Sequence, residues 1–270
     1  VEPVGHIQAR PLPADQPEQG EKVLTIMSAN LWHDYPRYRR LLERLESFAR
    51  LAEAEAANIL LLQEVARTPN LRTDEWLAER LNMAYVYSRA NGHENLGFEE
   101  GLAVFSRFRL SQPVMKELKP AFTPLVHRLV LGATVETPFG NLPVFSVHLG
   151  LIRRQNARQF QHLKSWITKV SNGESTLVGG DFNAPETAPH ILQARKSWLD
   201  IFRHLHPHAD GATHELRLPW GRFLSRQRLD YIFLQPGRIL WNILESQHLI
   251  SSGSPHSDHR TVLVRLELVR

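Results

Sequence analysis

Cysteine is missing from all 270 residues. That excludes disulfide staples and thiolate metal centres, so any bound metal must be held by oxygen or imidazole. It says nothing of compartment, because cytosolic and exported chains can both lack cysteine. Long apolar runs are missing as well: none approaches the ~20 residues a membrane-spanning helix needs. Nor does either sign of charge dominate. Thirty-two Lys and Arg against 28 Asp and Glu leave a formal +4, a field that suits a polyanionic substrate but also many other soluble proteins.

What is present is 42% apolar residues and 14 histidines, enough to bury a sizeable core. Residues 1–22 carry Pro3, Pro11, Pro13 and Pro17 among polar neighbours. They read as a flexible lead-in, compatible with a removed leader or anchor and equally with truncation. Compartment therefore stays open between soluble, exported and anchored before processing. With no repeat and no break in composition, residues 23–270 read as one domain, expected to be monomeric.

Hydrophobic patterning supplies the elements. VLTIMSAN from Val23 reads as a strand. A helix is predicted over 36–57, with Pro36 in its first turn and Leu41, Leu42, Leu45, Phe48 and Ala52 recurring at helical spacing. Residues 59–62 form a short apolar run typical of a strand covered on both sides. A second helix is predicted over 74–81, capped by Asp74. Strands are expected at 84–87, 102–106, 129–136 and 142–147, then a helix over 156–170 and a strand at 176–178. A helix over 188–202, a long polar-aromatic loop and strands at 231–234 and 261–268 complete the chain. Helices alternate with strands, and some strands are joined by short turns, which indicates an α/β protein with mixed sheets.

Polar residues collect where these strands end. Asn30 ends the first, Glu64 follows ILLLQ, and His148 ends VFSV. Asp181 and Asn183 lie in GGDFNAP, Asp230 opens DYIFL, and Asp258 and His259 stand in SDHRTVLV. One acid behind a buried strand is ordinarily a cap, and the Asp and Asn before Ala-Pro could simply build an Asx-turn. Several acids together are another matter, since burial disfavours each charged form and a cation offsets it. Four acids, two asparagines and two histidines make an oxygen-rich set suited to Mg²⁺ or Mn²⁺.

In this order, ANLW, LLLQEV, EEGLAVFSR, SVHLG, GGDFNAP, RLDYIFL and SDHRTVLV resemble the endonuclease/exonuclease/phosphatase superfamily, in its deoxyribonuclease I-like and sphingomyelinase-like bacterial form. The resemblance covers the chain from about Val23 onward. It implies a four-layer α/β/β/α sandwich, two mixed β-sheets flanked by helices, with the site at one end. It implies Glu64 as the principal metal ligand, with Asn30 beside it and Asp258 close by. Asp181 would orient or deprotonate the attacking water, and Asn183 would bind a phosphate oxygen or position that water. Asp230 and His259 match the family's acid–histidine pair, which is the alternative to Asp181 for activating the water. His148 would contact phosphate and act as general acid, oriented by Glu100, with Glu99 an adjacent competitor. The implied reaction is metal-dependent in-line hydrolysis of a phosphodiester in nucleic acid or a phospholipid headgroup. A phosphomonoesterase acting on a small metabolite and a non-catalytic binding module are the alternatives.

Three segments are expected at the mouth of the site: Trp32 to Arg40; Arg153, Arg154 and Arg158; and residues 214–228. Arg153, Arg154, Trp220, Arg222 and Arg228 are the candidate substrate contacts. Arginines with aromatics fit phosphate contact plus base stacking, and equally an enzyme resting on lipid. Arg39 and Arg40 fit an ordinary solvated helix face just as well.

Overall fold

The computed structural model describes residues 5–13, 22–120, 126–217, 222–252 and 254–269. Strand β2 (Val23–Asn30) shows how the layers arise. Successive side chains of a strand point to opposite faces. Leu24 and Ile26 enter one core, and Met27 and Ala29 enter a second on the other face. Strand β3 (Ile59–Thr68) divides the same way, with Ile59 and Leu61 on one side and Leu60 and Leu62 on the other. A strand buried on both faces is a continuous apolar run, which is why this pair was legible from sequence.

The first sheet runs in the order β1 (Ile7–Arg10), β5 (Ala84–His93), β6 (Phe98–Ser106), β3, β2, β16 (Thr261–Leu268), β15 (Trp241–Leu249), with β4 (Leu71–Arg72) paired to β3. The second runs β11 (Leu199–Asp200), β14 (Asp230–Gln235), β10 (Thr176–Asp181), β9 (Gly140–His148), β8 (Leu129–Thr137), β7 (Arg109–Glu117). Between them lies a core in which Ile26, Leu61 and Val104 of the first sheet meet Leu131, Val144 and Ile232 of the second. Helices α1 (Leu41–Ala54) and α2 (Thr73–Leu81) cover the outer face of the first sheet. Helices α3 (Arg153–Val170) and α4 (Pro189–Ala194) cover that of the second. The architecture is the four-layer α/β/β/α sandwich expected. Among the described residues no helix is long and apolar enough to cross a membrane.

Several expectations need correction. Ile7–Arg10, inside the stretch read as a lead-in, is an edge strand paired antiparallel with β5. Helix α1 begins at Leu41 rather than near Pro36, because Asp34, Tyr38 and Arg40 all take positive φ and fold the preceding segment into turns. Asp74 does not cap α2; it is buried and paired with Arg67 Nε at 2.9 Å. The helix expected over 188–202 is α4, then β11, then a short α5 (Ile201–Leu205) capped by Asp200. The expected polar-aromatic loop contains a hairpin, β12 (His214–Arg217) with β13 (Phe223–Gln227). Strands β7 and β15 were not anticipated.

Candidate active site

The polar residues converge because strand register carries them to one end of both sheets. Parallel pairing of β2 with β3 sets Asn30 beside Gln63. The register of β3 against β6 then shifts between Leu62 and Val65, where Glu64 takes φ 53°. Glu64 therefore does not end its strand. It sits at an irregularity that re-aims one side chain, as a β-bulge does. In the second sheet Asp181 is level with His148 on one side and Asp230 on the other. Just below, Gln63 Nε2 donates to Ser146 Oγ at 2.9 Å and Ser146 Oγ donates to the Leu62 carbonyl at 2.9 Å. These buried bonds join the two sheets at the floor of the site.

The result is a cleft of about 260 Å³, lined by Asn30, Glu64, Glu100, His148, Asp181, Asn183 and His259, with His33, Arg128, Leu151, His214 and Leu229 completing the wall. The Asn30 amide donates to Glu64 Oε1 at 3.0 Å and to Asp181 Oδ2 at 3.1 Å, so it ties the sheets together at the reactive end. Its own oxygen accepts the Trp32 N–H at 2.9 Å, which fixes the amide's orientation. Asp230 Oδ2 lies 2.8 Å from His259 Nδ1. A carboxylate there holds the Nδ1–H tautomer and directs Nε2 away from the pair. His148 Nε2 lies 3.5 Å from Asp181 Oδ2.

Electrostatics divide these groups. Burial pushes the Asp181 carboxyl up to about 7, with Asp230 adding to the rise and His259 opposing it. Burial, then the charge of Glu64, raises Glu100. Burial would lower His259, but the carboxylates of Asp230 and Asp181 outweigh it and carry the imidazole up to about 10. His148 is driven well below its usual value by burial and then by Arg128, His259 and His33. The cleft thus pairs a cationic imidazole with a neutral one. Its acids are more crowded with negative charge than the surrounding cations offset, and the donors are oxygens, so a hard divalent cation fits this set. His214, Asp258 and His259 have potential ligand atoms within 4.8 Å of one another, as do Asp181, Asp230 and His259. In the second group His259 Nδ1 is already engaged by Asp230.

Most expected site residues meet here, with some departures. Asp258 stands at the rim beside His214, whose Nε2 is 3.9 Å from its Oδ2. The Asn183 N–H donates to Asp181 Oδ1 at 2.8 Å, which is the Asx-turn, and its amide donates to the Leu149 carbonyl at 3.0 Å. Glu100, not Glu99, lines the cleft; Glu99 points to Arg67 at 3.9 Å. His148 Nδ1 lies 3.4 Å from Arg128 Nη1, while Glu100 accepts from Asn91 and lies 4.0 Å from His33.

The mouth segments also divide. Arg153 and Arg154 are exposed in the first turn of α3, and Arg222 is exposed beside β13. Trp220 lies outside the described residues. Arg228 is no substrate contact: it is buried, paired with Asp200 at 2.6 and 2.9 Å, and its guanidinium lies over the Tyr231 ring. Arg39 and Arg40 are engaged by Asp34 and Glu43. Sequence reasoning missed Arg128, whose one signal is a cation just before the apolar run of β8.

A face-to-face pair of mixed sheets with an acid–imidazole–amide cleft at one end is the deoxyribonuclease I-like class of protein. The chain belongs to the Endonuclease/Exonuclease/phosphatase family, whose model matches residues 27–259, and members of that family hydrolyse phosphoesters, generally with a divalent metal. It is similar to Uncharacterized protein YbhP of Escherichia coli (strain K12), 28% identical over 213 residues, which are 71% of this chain and 79% of that one. Among solved structures it is similar to an endonuclease/exonuclease/phosphatase family protein from Leptotrichia buccalis (TM-score 0.74, 18% identity, 90% of this chain and 99% of that one). It is also similar to the human Nocturnin catalytic domain with bound sulfate anion (TM-score 0.72, 20% identity, 97% and 98%). At these identities the structural likenesses speak for the fold.

Proposed function

We propose that the protein is a Mg²⁺- or Mn²⁺-dependent phosphodiesterase. The observation that carries this reading is the convergence of Asn30 and Glu64 from one sheet with His148 and Asp181 from the other, clamped by the Asn30 amide. Glu64, with Asn30 and Asp258, would hold the cation. When bound, the metal supplies Lewis-acid charge at the phosphoryl oxygens.

The chain's own groups account for the remaining chemistry. Asp181, with a pKa raised to about 7, can accept a proton from water near neutral pH. His259, held cationic by its carboxylates, faces the phosphate as a fixed positive charge. His148 begins neutral, and an anionic phosphate beside it opposes the Arg128 and His259 fields that keep it so. That favours its uptake of a proton for delivery to the leaving oxygen. The water oxygen forms a new bond to phosphorus, one ester P–O bond breaks, and an alcohol and a phosphomonoester result. Asn183 positions the Asp181 carboxylate through its backbone N–H.

The test is hydrolysis of bis-p-nitrophenyl phosphate with Mg²⁺ or Mn²⁺. Wild-type protein should turn it over and EDTA should abolish the reaction. Glu64→Gln should lower kcat/KM by about 10³-fold, given what one charge-stabilising group contributes. An inert wild type across a panel of diesters and monoesters would favour the binding-module reading.

A further inference from the structure

The cleft is ringed by aliphatic side chains with little cover. Leu151 lines the cleft itself and is 75% exposed, and Ile152 beside it is exposed as well. The hairpin of β12 and β13 rises from two cleft-wall residues, His214 and Leu229, and carries Leu216 and Leu224, the latter 62% exposed. On the third side, the turn joining β5 to β6 presents Leu96 at 76% exposure. Two residues on, the Phe98 ring lies 5.2 Å from that of His33 on the cleft wall. Three separate segments, each rooted in the wall, thus present Leu or Ile to solvent around one opening. Exposed apolar groups gathered around a functional opening mark an interaction surface, whereas single scattered ones do not.

Charge narrows the partner. Arg153 and Arg154 follow Leu151 and Ile152 directly, Arg222 precedes β13, and none of the three pairs with a carboxylate among the described residues. Two acids of the same rim are neutralised, Asp34 by Arg39 and Glu215 by Arg226. Aliphatic groups beside unpaired arginines match the headgroup–acyl boundary of an anionic bilayer. A single nucleic-acid strand would call for a row of aromatic stacking platforms; among the described residues this rim exposes one aromatic, Tyr35, its ring 6.4 Å from that of His33, against the five aliphatic groups named here.

We propose that the mouth of the cleft docks on an anionic phospholipid surface, with Leu96, Leu151, Ile152, Leu216 and Leu224 entering the headgroup layer and Arg153, Arg154 and Arg222 meeting lipid phosphates. The substrate is then a phosphodiester presented by a lipid headgroup. This substrate assignment rests on the phosphodiesterase reading; the docking does not.

Flotation with vesicles of phosphatidylcholine, with or without phosphatidylglycerol, tests the docking in EDTA, where binding is read without turnover. The full chain should float with the anionic vesicles only. Ile152→Ser with Leu216→Ser and Leu224→Ser should lower partitioning roughly tenfold or more, from the lost apolar burial, and leave bis-p-nitrophenyl phosphate hydrolysis unchanged. Leu224→Ser alone should move the same way if the triple variant folds poorly. Each of Arg153→Gln and Arg154→Gln should cost roughly fivefold. A wild type that stays at the bottom of the gradient, or a triple variant floating like wild type, overturns the proposal. Salt-sensitive binding of single-stranded DNA without flotation would assign the rim to nucleic acid. Hydrolysis without flotation sinks the docking alone, and flotation by a chain inert on every diester sinks the hydrolase reading alone.

Discussion

Asp230 spends one oxygen on His259 and buries the other, Oδ1, with no hydrogen-bond partner among the described residues. A buried half-satisfied carboxylate is costly. It persists here beside an imidazole whose pKa the local acids lift to about 10 against burial. Asp230→Asn removes the charge while keeping the shape. His259 should then titrate well below 10 by NMR, and its tautomer is no longer enforced. Turnover should fall by about 10³-fold or more, as when other acid–histidine pairs lose their carboxylate. An unshifted imidazole with full activity would show that Asp230 is structural. At this scale the sequence shows which residue types are present but not which neighbour wins. Glu99 and Glu100 are both acids, and only the pairing of Ala66 with Glu100 and Arg67 with Glu99 separates them. Arg228 looked like a mouth arginine because Asp200, its partner, is 28 residues away in the chain.

Elements place those residues, and Gly180 shows how narrowly. A Cβ there would stand 1.9 Å from the Val147 carbonyl oxygen, a backbone atom of the neighbouring strand. Parallel pairing of β10 with β9 is what sets Asp181 level with His148. Gly180→Ala must part the strands, so it should cost about 3 kcal/mol of stability. It should also lower turnover more than the melting point suggests, read by thermal unfolding and kcat on the same sample. Wild-type activity in a destabilised variant would mean that the spacing of β9 and β10 is not critical. The strands that sequence patterning found are those buried on both faces, such as β2, β3 and β10. Of those it missed, β1, β7, β11 and β15 stand at sheet edges, while β4 pairs off the main strand order and β12 with β13 forms a separate hairpin. An edge strand exposes much of its length, so its apolar residues are interrupted; β7 carries four exposed positions in nine. The bulge at Glu64 was invisible for another reason: it depends on where β6 pairs, which is a long-range fact.

Across the whole molecule, the segment bearing Asp258 and His259 is anchored by a buried histidine outside the cleft lining. His256 is buried against Phe48 of α1. Its Nδ1 accepts the Ser251 N–H at 3.3 Å, and its Nε2 lies 2.9 Å from Thr261 Oγ1. Arg44 reaches from α1 to the His256 carbonyl at 3.3 Å. Burial, then Arg44, lowers its pKa to about 4 from an ordinary 6.5. The folded chain therefore resists a proton that the unfolded chain takes up. Its contribution is complete above about pH 6.5 and is lost as pH falls toward the folded value near 4. His248, lowered to about 3 by burial and Arg228, adds the same sign. Glu100 and Asp181, both raised by burial, add the opposite sign over part of that window. Total stability against pH therefore mixes the two trends, and the informative quantity is a difference. Comparing wild type with His256→Gln by urea unfolding, the stability gap should narrow by about 2–3 kcal/mol between roughly pH 7.5 and roughly pH 4.5. The variant retains a polar group for Ser251 or Thr261 but cannot take up the proton. A gap that stays constant across that range would mean that His256 is protonated within the fold, and the anchor of the Asp258–His259 segment would have to be sought in Arg44 alone.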